Sequence, residues 1–434
     1  MNQRRGLPPH VKMLLGLLFG TVVGILANQL WAGAAPLEWI VDNVAEPTGR
    51  IFIKLLLMLV APLLFSALVM GIAELDLGQL GRLGIKMLGY TVIISAVAVS
   101  IGLVLVNLVR PGDGAEELVA RASALAAESG KVQPPDQSAA DMIVAMVPDN
   151  IIGAAGSNAQ LLGVIVFSIL FGIALAFTRT PGADRLREMI QGLYDVLMRL
   201  IEGVLYFAPI GVAALLFSVT ARMGIDILQQ LAAYVGVVLA ALAIHMFIVY
   251  SLSVQFFGGM SPTRFFRGVR LAMVTAFSTA SSSATLPTAL KVADEELKLP
   301  RHVSRFVLTA GSAMNQNGTA LFEGVTVLFL AQLFGVDLDL GQQLTVMAIC
   351  ILGGIGTAGV PAGSLPVVAM ILAMFNVPPE GLGLIIGVDR FLDMCRTSLN
   401  VTGDLAAAVY VARGEEHPAD PTPEDGWDPE PDPT

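Results

Sequence analysis

The chain has 434 residues, of which 55% are hydrophobic and 14% are charged, and its formal net charge is −10. Soluble domains carry about 25% charged residues, so the composition excludes an ordinary water-soluble enzyme. The two cysteines, Cys350 and Cys395, exclude a disulfide framework and a CxxC metal or redox motif. The acidic balance excludes a typical nucleic-acid-binding protein, because such proteins need a basic face.

The first part of the chain contains six apolar runs, each of about 20 residues, which is enough to cross the hydrocarbon core of a bilayer. Arg4, Arg5 and Lys12 precede or begin the first run, but this run is long and lacks a small-residue cleavage site. We therefore expect it to be a membrane anchor and not a cleaved signal peptide. The runs lie near residues 12–31, 51–73, 87–109, 159–178, 201–220 and 229–257.

Four further segments lie near residues 262–293, 301–334, 342–374 and 382–411, and Ser, Gly, Pro or charged residues interrupt each of them. Broken backbone at membrane depth is tolerated only where it is buried in protein or lines a water-filled cavity. These four segments are therefore predicted to form the functional half of the protein.

The distribution of Lys and Arg favours one topology. If 262–293 and 342–374 are re-entrant hairpins and the other eight segments cross the membrane, 16 of the 25 basic residues lie on the cytoplasmic side, in line with the positive-inside bias. Full crossings by both hairpins would move four basic residues outside. The prediction is an all-α integral membrane protein with eight transmembrane helices, two re-entrant helical hairpins and both termini in the cytoplasm. The inside residues are Arg4, Arg5, Lys12, Arg82, Lys86, Arg179, Arg185, Arg187, Arg264, Arg267, Arg270, Lys291, Lys298, Arg301, Arg305 and Arg413.

Two segments are predicted to lie outside the membrane. Residues 110–158, rich in Ala, Gly, Pro and charge, form an extracellular or periplasmic loop, and residues 412–434 form an acidic cytoplasmic tail with six prolines, disordered by composition. Residues 415–434 contain eight acidic residues and neither Lys nor Arg. Most of the net charge therefore belongs to the tail, and the membrane body is nearly neutral.

The last segment carries a charged face. At 100° per residue, Asp389, Asp393, Arg396, Asn400 and Asp404 fall within an arc of about 80°. Each charge at the centre of a membrane helix costs about 2.5–3.5 kcal/mol on insertion scales. A structural Asp–Arg pair would explain Arg396 and one aspartate but would leave the others without a reason.

The functional interpretation of this face is a cavity for a ligand with both a carboxylate and an amine. The planar fork of Arg396 suits a carboxylate, Asp393 suits an ammonium, and Asn400 can form a hydrogen bond with the ligand. We expect Asp404 to hold a cation and place Asp389 with the cation- or proton-handling groups.

The 301–334 segment contains Asn315-Gln316-Asn317-Gly318-Thr319 and then Glu323. Asn beside Gly predicts a break in the helix, where freed carbonyls and amide oxygens suit a monovalent cation. Alternatively, the polar run only forms hydrogen bonds between helices. Glu323 is a lone carboxyl in an apolar helix and is a candidate proton carrier.

The two hairpins carry break signals of their own. Ser281-Ser282-Ser283 with Pro287 indicates a break in the first, and the Gly-rich run at 353–364 indicates one in the second. Hydroxyls and free backbone amides at a broken tip can bind a carboxylate. A pair of interrupted segments in corresponding positions is typical of transporters built from inverted repeats.

These motifs together resemble the dicarboxylate/amino acid:cation symporters, the glutamate and aspartate transporter family. The resemblance covers about residues 10–412 and is carried by SSSATLP at 281–287, NQNGTALFEG at 315–324, GTAGVP at 356–361 and DRFLDMCRTSLNVTGD at 389–404. It implies a homotrimer without cofactor, in which a transport domain moves like an elevator against a scaffold. The scaffold would be residues 12–73 and 159–220, and the transport domain residues 84–109 and 226–411.

The resemblance also implies roles for individual residues. Arg396 would receive the substrate side-chain carboxylate and Asp393 its amino group. Members that take neutral amino acids lack this arginine, and members that take plain dicarboxylates lack the second aspartate. Glutamate or aspartate is therefore preferred here. Further substrate contacts would come from Thr397, Asn400, Thr319 and the tip Ser281, Ser282 and Ser283, and the tip of the second hairpin, Gly359, Val360 and Pro361, would serve as gate.

Departures from the family pattern bear on the coupling ion. The usual Asn-Met-Asp run reads Asn315-Gln316-Asn317 here, and a Thr-Ser pair expected in the third helix reads Ile94-Ser95. Both changes remove ligands of the same sodium site. Asn315, Asn400 and Asp404 retain those of a neighbouring sodium site, and Glu323 stands where proton-coupled members carry a glutamate.

The predicted function is therefore import of glutamate or aspartate with a cation, H⁺ being favoured and Na⁺ remaining an addition or alternative. A C4-dicarboxylate symporter and an anion channel remain alternative functions. An arginine that some prokaryotic members carry beside the serine triplet is Ala280 here. Arg390 is a candidate to replace its charge.

Overall fold

The structure, a computed structural model, describes residues 9–73, 82–114, 147–156, 161–356, 364–378 and 381–415. Helices joined by turns make up these residues, and no strand occurs among them. The prediction of an all-α protein is confirmed for the described ranges. Most of the predicted loop at 110–158 and tail at 412–434, and the gate residues Gly359, Val360 and Pro361, lie outside them.

The first half of the chain forms helices that follow the predicted apolar runs, with one extension. The run predicted at 201–220 belongs to a 43-residue helix that begins at Pro181, where the Thr180 hydroxyl accepts a hydrogen bond from the backbone N–H of Ala183. The helices are α1 (Pro9–Trp31), α2 (Ala35–Ile40), α3 (Glu46–Leu57), α4 (Val60–Ala73), α5 (Arg82–Val109), α6 (Ile151–Ala155), α7 (Leu161–Phe177) and α8 (Pro181–Met223).

The second half begins with one long helical stretch in which two π-helical turns, His245–Val249 and Ser253–Phe257, interrupt the α-helix. Such turns are frequent at functional sites. The helices are α9 (Asp226–Ile244), α10 (Tyr250–Leu252), α11 (Pro262–Thr279), α12 (Ser282–Glu295), α13 (Arg301–Met314), α14 (Asn317–Leu333), α15 (Leu340–Gly356), α16 (Ser364–Met374) and α17 (Leu382–Ala412).

Two of the described helical stretches, Arg82–Val109 and Ile227–Phe257, are long and apolar enough to cross a membrane. Shorter apolar helical stretches occur at Leu15–Trp31, Ala61–Met70, Val166–Phe177, Tyr206–Arg222 and Leu340–Gly354. These stretches coincide with predicted spans, except for Leu340–Gly354, which lies in the segment predicted as the second re-entrant hairpin. The count of eight crossings and the re-entrant topology remain predictions.

The first hairpin, α11 and α12, breaks at the start of the predicted serine triplet. Ala280 adopts a left-handed conformation with φ of 48° and ends α11. The Ser281 hydroxyl then accepts a hydrogen bond from the N–H of Ala284 at 3.3 Å and begins α12. Pro287, which the sequence analysis grouped with the triplet, lies inside α12 and does not interrupt it.

Helix α14 lies at the centre of the fold. Nearly all of its residues are buried, and it packs against α5, α9, α15, α16 and α17. Close contact with α5 depends on Gly102, where a Cβ would lie 2.8 Å from Val325. The polar residues at the start of α14 are therefore enclosed by helices on every side.

The end of the described chain is tied back to α5. Glu415 accepts hydrogen bonds from Lys86 and from Arg82, each at 3.0 Å. The hydrogen bond from Lys86 and the neighbouring charge of Arg82 lower the pKa of Glu415. Arg413 donates to the carbonyl of Phe256 at 2.8 Å, so the end of α17 is held at two points.

Candidate functional site

The candidate site is built around the break between α13 and α14. Asn315 and Gln316 leave helical geometry, with ψ of 67° and 55°, and the helix resumes at Asn317. All three side chains are buried. The predicted interruption is therefore present at the two residues that precede Asn317.

Asn400 of α17 holds the break in position. Its side-chain oxygen accepts a hydrogen bond from the N–H of Gly318 at 2.8 Å, and its amide donates to Gln316 and, at 3.2 Å, to Thr319. Gly318 permits this approach, since a Cβ there would lie 3.0 Å from the carbonyl oxygen of Arg396. The break and the polar face of α17 thus form one structure.

Asn317 takes part in a linear series of hydrogen bonds that runs from Ser95 to the backbone of Leu399. Its oxygen accepts from the Ser95 hydroxyl at 2.6 Å, and its amide donates to the Tyr250 hydroxyl at 3.1 Å. Tyr250 in turn donates to the carbonyl of Leu399 at 3.4 Å. Donors and acceptors are matched along this chain without any charged group.

Asp404 faces the other side of the break. Its carboxylate accepts a hydrogen bond from the Asn315 amide at 2.9 Å, and a Cβ at Gly311 would lie 2.7 Å from Asp404 Oδ1. The side-chain oxygen of Asn315 is buried and has no hydrogen-bond partner among the described residues. Two neighbouring side chains thus carry oxygen ligands of the kind suited to a hard cation.

Arg396 is fully enclosed, with 1% of its side chain exposed. Its Nη2 donates to Asp389 and to Asp393, both at 2.9 Å, and its Nη1 donates to the Ser364 hydroxyl at 3.2 Å. The guanidinium lies over the ring of Phe322, 3.8 Å from its centroid, where a cation is attracted by the aromatic face. Asp389, predicted among the cation- or proton-handling groups, thus contacts the arginine.

A second arginine completes the charge balance. Arg390 Nη1 lies 3.4 Å from the oxygen Oδ2 of Asp393, whose Oδ1 is bound by Arg396. Two aspartates and two arginines thus form a cluster without net charge on α17. Arg390 thus pairs locally with Asp393, and its replacement of a missing positive charge stays a prediction.

Glu323 lies on α14, one turn beyond Thr319. It is 0% exposed, and both of its carboxyl oxygens lack a hydrogen-bond partner among the described residues. A Cβ at Gly353 of α15 would lie 3.3 Å from one of these oxygens. A carboxyl that is buried without a partner is stable only in its neutral form or beside a counterion.

The first hairpin packs along α17. The Ser398 hydroxyl of α17 donates to the carbonyl of Met273 on α11 at 3.2 Å. At the tip, Ser282 is buried, Ser281 is half-buried and Ser283 is exposed. Thr397 is buried on α17.

Sequence reasoning missed several residues of this site. Tyr250 and Phe322 lie among apolar residues, where an aromatic side chain is usually interpreted as part of the packing. Ser364 is the last residue of the Gly-rich run at 353–364 and carries no further signal. His245, buried in the first π-helical turn, packs edge-on against Tyr250 with ring centroids 4.8 Å apart. No local pattern distinguishes these side chains from ordinary core residues.

Comparison with known proteins assigns the chain to a family. Residues 10–414 match the sequence profile described as the sodium:dicarboxylate symporter family. The chain belongs to this family. It is 33% identical over 404 residues to the proton/glutamate-aspartate symporter of Escherichia coli, with 92% of each chain covered.

Other relatives in this symporter family carry different names. The chain is 31% identical over 407 residues to the proton/sodium-glutamate symport protein of Bacillus subtilis, with 93% of this chain and 92% of that protein covered. It is 30% identical over 407 residues to C4-dicarboxylate transport protein 3 of Bradyrhizobium diazoefficiens, with 93% and 88% covered. The predicted family is confirmed, and the names of these relatives match the predicted functions.

Proposed function

We propose that this chain is a secondary active symporter that imports glutamate or aspartate together with a cation. Arg396 carries the proposal, because it is a buried cation whose planar fork faces two aspartates and a serine. A substrate carboxylate can displace one aspartate from Nη2 and bind the planar fork through two hydrogen bonds. Glutamate and aspartate both appear in the name of the relative from Escherichia coli, and glutamate appears in that of the relative from Bacillus subtilis.

Recognition of the substrate amino group is assigned to Asp393. When the substrate carboxylate displaces Asp393 from Arg396, the oxygen Oδ1 of Asp393 becomes available to the substrate ammonium. This exchange makes the binding of the carboxylate and of the amine interdependent, so a ligand with both groups is favoured. Further substrate contacts are assigned to Thr319, Thr397, Asn400, Ser281, Ser282 and Ser283, and the gate to Gly359, Val360 and Pro361.

The proposed coupling ion is H⁺, carried by Glu323. Its carboxyl is buried without a hydrogen-bond partner among the described residues, and an ionised group there would cost several kcal/mol. Asn317 supports the choice of H⁺ over Na⁺. Its side-chain oxygen and amide both form hydrogen bonds with neutral groups, so neither is available to a sodium ion at Asn317.

Sodium remains the alternative or additional ion, at Asn315, Asn400 and Asp404. The side-chain oxygen of Asn315, unpartnered in the described part of the chain, lies beside the Asp404 carboxylate. Monovalent cations are bound in transporters by such oxygens at unwound helix segments. Two relatives are named as proton/sodium symport proteins from Bacillus subtilis and Geobacillus stearothermophilus.

The proposed mechanism is an elevator movement within a homotrimer in the cell membrane, with both termini cytoplasmic. Packing within the chain supports two groups of helices. In the first group α1 packs along α8 and α4 along α7. In the second group α14 packs with α5, α17 and the second hairpin (α15 and α16), and α17 packs with the first hairpin. The first group corresponds to the scaffold and the second to the transport domain.

A C4-dicarboxylate symporter is the second candidate. Both oxygens of Asp393 lie near arginines, which lowers the repulsion that a dianionic ligand would meet. One relative carries that function in its name. An anion channel is a third candidate and would produce single-channel current without substrate accumulation.

Uptake into proteoliposomes separates these functions. Purified protein is reconstituted, and radiolabelled aspartate, glutamate and succinate are offered with the Na⁺ gradient and the H⁺ gradient imposed separately. The proposal expects concentrative uptake of aspartate or glutamate driven by the proton gradient. Uptake of succinate alone would favour the second candidate, and the absence of gradient-driven accumulation would contradict symport.

A further inference from the structure

The base of the first hairpin, where α11 and α12 diverge, forms a cleft on the surface of the protein. The cleft has a volume of about 220 Å³. Gly268 of α11 lies against the segment that follows α12, where a Cβ on residue 268 would lie 2.8 Å from Leu297. The residues that line this hairpin cleft are Arg267, Gly268, Arg270, Leu271, Lys291, Val292, Glu295 and Glu296.

The hairpin cleft carries positive charge that other groups do not neutralise. Arg270 Nε donates to the backbone carbonyl of Arg267 at 3.1 Å, which positions its guanidinium at the cleft. Neither arginine has a carboxylate partner among the residues that the structure describes. Lys291 is paired with Glu295 at 3.8 Å, and both side chains are 61% exposed, so this pair contributes little.

The chemistry of the lining residues suits one oxyanion ligand. Three cations and two carboxylates leave a formal excess of one positive charge. A phosphodiester carries one negative charge and offers oxygens that match the fork of an arginine. The hairpin cleft is therefore complementary in charge to a phospholipid headgroup such as phosphatidylglycerol.

An apolar stripe on α11 continues from the hairpin cleft. Leu271, Val274 and Phe277 are 56%, 64% and 38% exposed, and their three-residue spacing places them along one side of the helix. Leu271 belongs to both the hairpin cleft and the stripe. Cations at one end of an exposed apolar stripe are arranged like the headgroup and the acyl chains of a lipid.

We propose that the hairpin cleft binds the headgroup of an anionic phospholipid whose acyl chain lies along the apolar stripe. Basic pockets between membrane helices bind such headgroups. Because Arg270 and Lys291 belong to opposite arms, the bound phosphate would hold the base of the first hairpin together. This proposal requires a membrane protein and does not depend on which substrate is transported.

Native mass spectrometry of the full-length protein in a neutral detergent tests the proposal. Phosphatidylglycerol, phosphatidylcholine with the same acyl chains, and glycerol 3-phosphate are titrated separately, and the fraction of chains with one adduct is measured. The variant Arg267→Gln/Arg270→Gln removes the two unpaired cations. Its matched control, Arg179→Gln/Arg185→Gln, removes two exposed cations elsewhere.

The expected result is preferential binding of phosphatidylglycerol, weakened by about tenfold or more in the hairpin variant and unchanged in the control. Equal binding of the two lipids by the natural protein, or equal binding of phosphatidylglycerol by both variants, would overturn the proposal. Binding of glycerol 3-phosphate as tight as that of the lipid would reduce the hairpin cleft to a site for free anions. If the double variant does not fold, Lys291→Gln replaces it, with a smaller loss expected.

Discussion

Glu323→Gln tests the proposed proton carrier most specifically. Gln has the size of the protonated carboxyl but cannot release or take up a proton at neutral pH. Glu323 is 0% exposed and lacks a hydrogen-bond partner among the described residues. We expect the variant to fold and to exchange aspartate across the membrane, because it retains the neutral form that the enclosed site requires.

The size of the expected pH dependence of uptake follows from the burial of the Glu323 carboxyl. If burial costs the ionised form of Glu323 about 4 kcal/mol relative to water, the equilibrium between the ionised and the neutral carboxyl shifts towards the neutral form by about a thousandfold. Glu323 must then bind a proton before the substrate-loaded site moves inward. Uptake at subsaturating substrate should therefore rise as the external pH falls, by up to about tenfold per pH unit for one proton.

The assay compares two measurements in proteoliposomes, concentrative aspartate uptake driven by a proton gradient and aspartate exchange at equal pH on both sides. Glu323→Gln should lose the first and keep the second, and its exchange should vary by less than about twofold per pH unit. Glu188→Gln, which alters an exposed carboxyl on α8, is the control and should behave as the natural protein. A variant at Glu323 that still accumulates aspartate along a proton gradient would refute the reasoning.

Three further substitutions probe the neighbouring groups. Arg396→Ala should weaken aspartate binding by about a hundredfold, because two charged hydrogen bonds to a carboxylate are lost; undiminished affinity in a competition assay would contradict its assigned role. Gly311→Ala places a Cβ 2.7 Å from Asp404 Oδ1 and should reduce the dependence of aspartate binding on Na⁺ or H⁺ by about tenfold, whereas unchanged cation dependence would argue against a cation at Asp404. Arg390 lies beside Asp393, so Arg390→Lys should preserve the KM for aspartate, Arg390→Gln should raise it and Arg390→Glu should raise it further. Equal KM values for the Lys and Gln variants would show that the charge of Arg390 has no effect on binding.

The polar face of α17 could be predicted because its physical cause is local. Charged residues inside an apolar helix are costly, and helical periodicity places them on one side. The structure brings Asp389, Asp393 and Arg396 into contact, as the shared face requires. A pair between Arg396 and one aspartate was a stated alternative, but the sharing of Arg396 by both aspartates could not be predicted, because it depends on the rotamer of the long arginine side chain.

The break in the first hairpin was predicted at the serine triplet, and the chain turns at its first residue. A left-handed Ala280 ends one helix and the Ser281 cap begins the next, whereas Pro287, which lacks a backbone N–H, lies inside α12. The length of α8 was not predicted, because charges in its first half hide a helix of 43 residues from a search for apolar runs. In both cases helix capping decides where the helix starts.

Only one of the two contacts of Asn317 was open to sequence reasoning. The family resemblance placed Ser95 of α5 at the same site as Asn317, and the two residues form a hydrogen bond. Tyr250 was missed, because it follows a π-helical turn that changes the face its side chain presents, and the insertion of one residue into a helical turn leaves no local pattern. The sequence indicated a departure from the family at Asn317, and the structure supplies the neutral partners.

Aspartate accumulation under separately imposed gradients tests the central claim most directly. With an inward proton gradient and no Na⁺ present, the proteoliposomes should concentrate radiolabelled aspartate, and a protonophore should release it. Accumulation that requires Na⁺ and ignores the proton gradient would contradict proton coupling through Glu323. Failure of both gradients to drive accumulation would contradict cation-coupled symport itself.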